Sequence, residues 1–214
     1  MTLRVRADPE ERRRSIARAA VRVFATRGYH RAGVPEIARE LGVGYGTLYR
    51  YYASKREILL GVIAETFERL AAILAAEQPT AAASRSEYRA QVERIGHGML
   101  RLVAEEPAMV RLTFVESLTV DEELTAYVLE TFAAMGRVTA AYLANGVDRG
   151  FLRADLDVAT TAKVVNGAIW AGALSVTRAA DPADEAARWM DAISALMFEG
   201  LGGADPDRRS AERG

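Results

Sequence analysis

Apolar residues recur along the chain at spacings of three and four, and no stretch sustains the alternation of a half-buried strand, so the pattern predicts an all-α protein of about nine helices. Pro9, Pro35, Pro107 and Pro182 each stand where a helix would begin, the position that tolerates a missing N–H. The first helix is announced by Asp8, Pro9 and Glu11, carries an inward stripe of Ile16, Ala19, Ala20, Val23 and Phe24, and stops at Gly28. A short helix over 34–41 turns Ile37, Ala38 and Leu41 inward and ends at Gly42. Val43 and Gly44 then make a tight turn into a helix over 45–52, with Leu48 and Tyr52 facing in. Ser54 and Glu57 form a capping box that opens a long helix to about residue 76.

After a Pro-, Ala- and Ser-bearing linker over 78–85, helices are expected near 86–104, 107–117, 121–146, 157–178 and 183–201, with a disordered tail over 205–214. The helix near 157–178 is apolar almost all round, which predicts cover on more than one side. The last helix carries a stripe of Ala186, Trp189, Met190, Ile193, Leu196, Met197 and Leu201. Together these two helices are expected to form half of a four-helix interface between two copies of the chain.

Composition narrows the chemistry. Without cysteine among the 214 residues, disulfides, thiolate metal sites and cysteine nucleophiles are excluded. The charged start of the chain is unlike a secretory leader, and no apolar run reaches the ~18 residues needed to span a bilayer, so a cytoplasmic protein with no membrane role is expected. The net charge of −1 hides an asymmetry: residues 1–60 hold 13 Lys and Arg against 6 Asp and Glu, a net of +7, so the remainder carries −8. A basic head on an acidic body is the footprint of a polyanion-binding module joined to a domain with another task. The expected division is a helix-turn-helix domain over 1–53 and a helical ligand-binding and dimerisation domain over 54–204.

Two short helices joined by a glycine turn, braced by a preceding helix in a basic segment, make a helix-turn-helix whose second helix enters the major groove. With Leu48 and Tyr52 inward, Tyr45, Gly46, Thr47 and Arg50 face the groove, and Tyr49, Tyr51 and Lys55 reach phosphates. Arg50 suits guanine, Thr47 a thymine methyl or base-edge acceptor, and Gly46 lets the backbone approach closely. The runs Phe24–Tyr29, Ile37–Val43, Gly46–Tyr52 and Ser54–Leu59 closely resemble the DNA-binding domain of the tetracycline-repressor (TetR) family. That resemblance implies a homodimeric repressor on a palindromic double-stranded operator. The chain departs from the family at Gly33, where Thr or Ser is frequent, and at Tyr51, where His is frequent.

In the rest of the chain, Glu105–Leu112 with Glu116, and Arg149–Arg153 with Leu156, Asp157 and Gly167, loosely resemble TetR-family regulators of fatty-acid metabolism. The implied effector is an acyl-CoA or similar amphiphile that releases the repressor. The expected lining is Met99, Val103, Arg111, Phe114, Met135 and Trp170, with Arg111 meeting an anionic headgroup. Gly96 and Gly98 inside a helix, each costing roughly 1 kcal/mol against alanine, point to a close approach or a cavity. Two other readings remain open: a dimeric DNA-binding protein without an effector, and an all-helical enzyme. The enzyme reading lacks a nucleophile–base constellation, since His30 lies in the head and His97 has only Glu93 at helical spacing, too few for a metal site. No cofactor and no catalytic residue is expected.

Overall fold

The computed structural model describes residues 8–200, and all regular structure among them is helical. Nine α-helices follow in order: α1 Pro9–Arg27, α2 Val34–Leu41, α3 Tyr45–Leu48, α4 Lys55–Ala75, α5 Arg85–Glu105, α6 Pro107–Arg111, α7 Glu122–Asp148, α8 Val158–Val176 and α9 Pro182–Phe198. A π-helical turn, Leu112–Glu116, and a 3₁₀ turn, Ser117–Thr119, join α6 to α7. The expected tail over 205–214 and Leu201 lie outside the described residues.

Local capping explains most boundaries. The Asp8 carboxylate accepts from the Glu10 N–H at 3.2 Å, and Gly28 at φ +77° closes α1. α4 starts where Ser54 Oγ accepts from the Glu57 N–H at 3.1 Å, while Glu57 reaches back to the Ala53 N–H at 2.7 Å. α5 repeats the device with Ser84 and Glu87, so this helix begins at Arg85, inside the expected linker. Asp121, Asp157 and Asp181 cap α7, α8 and α9 with their carboxylates.

Two helices differ from the pattern-based reading. The expected 45–52 helix keeps α-geometry only over Tyr45–Leu48; beyond it the Leu48 carbonyl takes both the Tyr51 and the Tyr52 N–H, at 2.9 and 3.0 Å, and the chain coils into a turn. The expected 107–117 helix breaks after Arg111 into the π turn, an irregularity frequent at functional places in helices. There the buried Thr113 hydroxyl meets Thr66 Oγ1 of α4 at 2.8 Å, and Thr66 passes its own proton to the Val62 carbonyl.

One contiguous core runs from head to body. In the head Ile16, Phe24, Ile37, Leu48 and Ile58 have no accessible surface. In the body Leu100, Leu112, Leu124, Val128, Val176 and Met190 do the same work, with α5 packed on α9, α7 on α8 and α1 on α4. Gly146 of α7 stands against crowded side chains: a Cβ there would lie 2.8 Å from the Tyr88 ring and 2.9 Å from Leu152. Gly146→Ala should therefore destabilise the fold by about 1–3 kcal/mol, the usual cost of overpacking, read as a lower urea midpoint at unchanged slope.

Candidate nucleic-acid interface and effector cavity

α2 and α3 meet at a turn that only glycine makes comfortably. Gly42 adopts φ +70°, which lets its N–H bond the Arg39 carbonyl at 3.1 Å while the Val43 N–H reaches Ala38 at 3.0 Å, so the helix is closed within two residues. α3 then presents an open face. Tyr45 is 63% and Tyr49 49% exposed, their rings edge to face at 6.0 Å. Arg50 is exposed, with no ion pair or side-chain hydrogen bond among the described residues. Thr47 is half-buried, and nothing lies within 4 Å of where a Cβ would project from Gly44 or Gly46. Tyr51 is half-buried against the core, while Tyr52 is buried between α1 and α4.

Lys55 sits differently from its sequence-based role. Its ammonium turns inward and donates to the carbonyls of Tyr29, Ala32 and His30 at 2.8, 3.0 and 3.3 Å, resting 4.3 Å above the Tyr29 ring. All three protons are thereby engaged by the loop after α1, leaving none for a phosphate in this conformation. Gly33 offers no side chain to cap α2; its N–H instead meets Glu36 at 3.0 Å.

The head is tied to the body by a feature the sequence did not signal. Arg56, in the first turn of α4, holds Asp121 through two bonds of 2.7 and 3.0 Å and adds Glu123 at 2.9 Å. Arg56, then the Leu124 N–H, holds the Asp121 carboxyl down at about 2. Because the folded value is depressed below the ordinary 3.8, this contribution is complete above about pH 4 and fades as pH falls towards 2. Asp121→Asn keeps an N-cap and loses the charge. Its urea midpoint should fall below wild type at pH 6, with the gap closing between pH 4 and 2.

Inside the body two apolar chambers of about 40 and about 50 Å³ adjoin across Met99 and Ile169, which line both. Met99, Val103, Phe114, Met135 and Trp170 line the smaller chamber, bringing together five of the six residues expected there. An aromatic cluster forms one wall, with Trp170 edge to face with Phe132 at 4.8 Å and tilted against Phe114 at 5.3 Å. Gly96 approaches Met190 and lines the larger chamber, while Gly98 approaches Ile73.

Arg111 lies elsewhere. It pairs with Glu116 at 3.3 Å in a cleft shared with Thr26, Gly28 and His30 of the head, because α6 ends there and the guanidinium stays hydrated instead of entering an apolar chamber. Glu93 is bound to Arg89 at 2.9 Å and Ser194 at 2.7 Å, and His97 Nδ1 meets the Glu93 carbonyl at 2.7 Å. Sequence reasoning passed over Asn166, the one amide side chain in the smaller chamber, although it stands out in the apolar run of α8.

Over residues 16–62 the chain matches the family model described as bacterial regulatory proteins, tetR family. It is 38% identical over 84 residues to the HTH-type transcriptional activator FasR of Mycolicibacterium smegmatis, an alignment covering 39% of this chain and 38% of the activator. It is 25% identical over 151 residues to the fatty acid metabolism regulator protein of Bacillus subtilis, covering 71% of this chain and 76% of that protein. The fold is shared with the crystal structure of FadR from Bacillus subtilis in complex with stearoyl-CoA, at a TM-score of 0.72 and 22% identity over 88% of this chain and 99% of that one.

Proposed function

We propose that this chain, whose residues 16–62 match the tetR family model, is a dimeric, cytoplasmic transcriptional repressor released from a palindromic operator by a small hydrophobic or amphipathic effector. The observation that carries this reading is the open face of α3 and of the turn after it, where Tyr45, Gly46, Tyr49 and Arg50 are exposed and Thr47 is half-buried on the basic head. In the proposed complex Arg50 and Thr47 read base edges, Tyr49 and Tyr51 touch phosphates, and Gly46 admits the backbone to the groove. Lys55 acts on the operator indirectly, by holding the loop after α1.

Dimerisation through α8 and α9 is supported by an uncharged stripe. Val164 is 65% exposed and shares a face of α8 with the exposed Gly167 and Ala171, while Leu196 of α9 is 50% exposed. Burying that stripe against its own copy would cover both helices on every side, as the apolar character of α8 requires. Two recognition helices then address successive major grooves, ~34 Å apart.

The paired chambers and the fatty-acid-regulator relatives support an acyl-CoA or similar amphiphile as effector. Ligand pockets commonly measure about 300–1,000 Å³, so such an effector must part α5, α7, α8 and α9. That movement is the proposed switch: the expanded body favours a spacing of the two heads that no longer fits the operator. The small resting volume equally favours the alternative of a DNA-binding dimer without an effector. Thermal unfolding with an acyl-CoA series separates the two, since a ligand of the folded state alone must raise the transition. Fluorescence anisotropy with the DNA upstream of the chain's own gene, at several salt concentrations, tests the regulator itself: tight binding with a steep salt slope is the expected result.

A further inference from the structure

The two chambers carry no charged side chain, and most of their polar atoms are already occupied. The Tyr142 hydroxyl donates to backbone carbonyls of Glu77 and Leu74 at 2.6 and 2.8 Å, and the Tyr88 hydroxyl donates to the Tyr142 carbonyl at 3.2 Å. Beside the Trp170 indole N–H, one polar pair is left at the boundary between the chambers. The Thr139 hydroxyl, on the wall of the larger chamber, donates to Asn166 Oδ1 at 2.9 Å, and Asn166, 8% exposed, lines the smaller one. The same hydroxyl lies 3.3 Å from the Met135 carbonyl, and with Oδ1 facing Thr139 the Nδ2 group lies on the other side of the amide.

Nδ2 meets no acceptor among the described residues. It lies 3.3 Å from where a Cβ of Gly136 would stand, so the absence of a side chain at Gly136 leaves the amide its room. The rings of Phe132 and Trp170 line the same chamber. A donor without a protein partner gains a hydrogen bond from any ligand acceptor that reaches it.

We propose that Asn166 is the specificity-determining residue of the effector cavity, and that its amide donates to a neutral carbonyl oxygen set within a hydrocarbon skeleton. The proposal rests on the reading of the body as a sensing domain and deepens it. A free carboxylate is disfavoured in the same place, since no cation lines either chamber and a buried anion without a partner is expensive. A ketone or ester, or the thioester carbonyl of an acyl-CoA, fits the same donor. A hydrocarbon of equal shape fills the space but leaves Nδ2 unpaired.

Calorimetric titration of the full chain with four probes of one skeleton tests this: butylbenzene, 4-phenylbutan-2-one, 3-phenylpropanoate and 3-phenylpropanoyl-CoA. The ketone should bind at least about tenfold more tightly than the carboxylate, and Asn166→Leu should weaken the ketone by about tenfold while leaving butylbenzene within about twofold, the signature of a lost hydrogen bond rather than lost packing. Thr139→Val, which frees the amide to turn, should weaken the ketone in the same direction and less, and it serves if Asn166→Leu folds poorly. Tighter binding of the thioester than the ketone, lost in the same variants, would identify an acyl-CoA as the source of the carbonyl. Equal loss of ketone and butylbenzene in Asn166→Leu reduces Asn166 to a packing residue and overturns the proposal alone. Failure of all four probes to bind overturns both the proposal and the sensing reading beneath it.

Discussion

Arg50→Ala should lower affinity for the preferred operator by about 5- to 150-fold, corresponding to the roughly 1–3 kcal/mol carried by one bidentate base contact, and should relax sequence preference at a single base pair of each half-site. The expectation follows from position. Arg50 is exposed beside the glycine-rich turn, has no ion pair among the described residues, and stands two residues past the last regular turn of α3. Tyr49→Ala should behave otherwise, weakening all sequences to a similar degree because a phosphate contact carries no base information. Titration of both variants against the operator and single-base-pair substitutions of it distinguishes the two. Loss of affinity in Arg50→Ala that is equal for every sequence would assign Arg50 to the phosphates and leave base readout to Thr47 and Tyr45.

Lys55→Met carries the second large effect, and it should appear in stability. Removing the ammonium strands three carbonyls, of Tyr29, His30 and Ala32, that it satisfies together with the face of the Tyr29 ring. Hydrogen bonds to charged groups contribute about 1.5–3 kcal/mol each and are not additive, so a total loss of roughly 2–4 kcal/mol is expected for this half-buried site. The loop after α1 should lose amide-exchange protection first. Operator binding at low temperature should fall only modestly, with an unchanged dependence on salt. A lysine that neutralised a phosphate would instead lower the slope of log K against log salt by about 0.9 on removal. Chemical unfolding and salt titration of the same variant decide between the roles.

Lys55 also illustrates where reading a sequence succeeds and fails. The boundaries of α2 were legible because Gly33, Pro35 and Gly42 act on the backbone within a few residues. The capping box at Ser54 and Glu57 was legible for the same reason, and its twin at Ser84 and Glu87 went unread beside the Ala- and Pro-bearing linker. The direction of a long side chain is another matter. Lys55 at a helix start looks outward in sequence, yet carbonyls 23 to 26 residues earlier in the chain turn it inward. Arg56 finds Asp121 across 65 residues, a pairing no local pattern announces.

The cavity divides in the same way. Met99, Val103, Phe114, Met135 and Trp170 were predictable as a group because helical spacing puts apolar residues on inward faces. Arg111 was expected among them through a loose resemblance, and the end of α6 with the π turn behind it carries the guanidinium to the head–body cleft. That position gives Arg111 and Glu116 a different neighbourhood from any effector buried between α5, α7 and α8. The shortness of α3 also has a physical source. Gly46 inside the helix weakens its propensity by about 1 kcal/mol, and the regular hydrogen bonds last only to Leu48.

The central claim is that the head of this chain reads a two-fold symmetric DNA sequence. Selection of bound duplexes from a random-sequence pool, followed by sequencing, tests it most directly. The account predicts enrichment of a palindrome whose half-sites lie about one helical turn apart, with enrichment at the guanine-containing position lost in Arg50→Ala. A pool that emerges without a shared motif, or with one that Arg50→Ala and Tyr49→Ala leave unchanged, would contradict it.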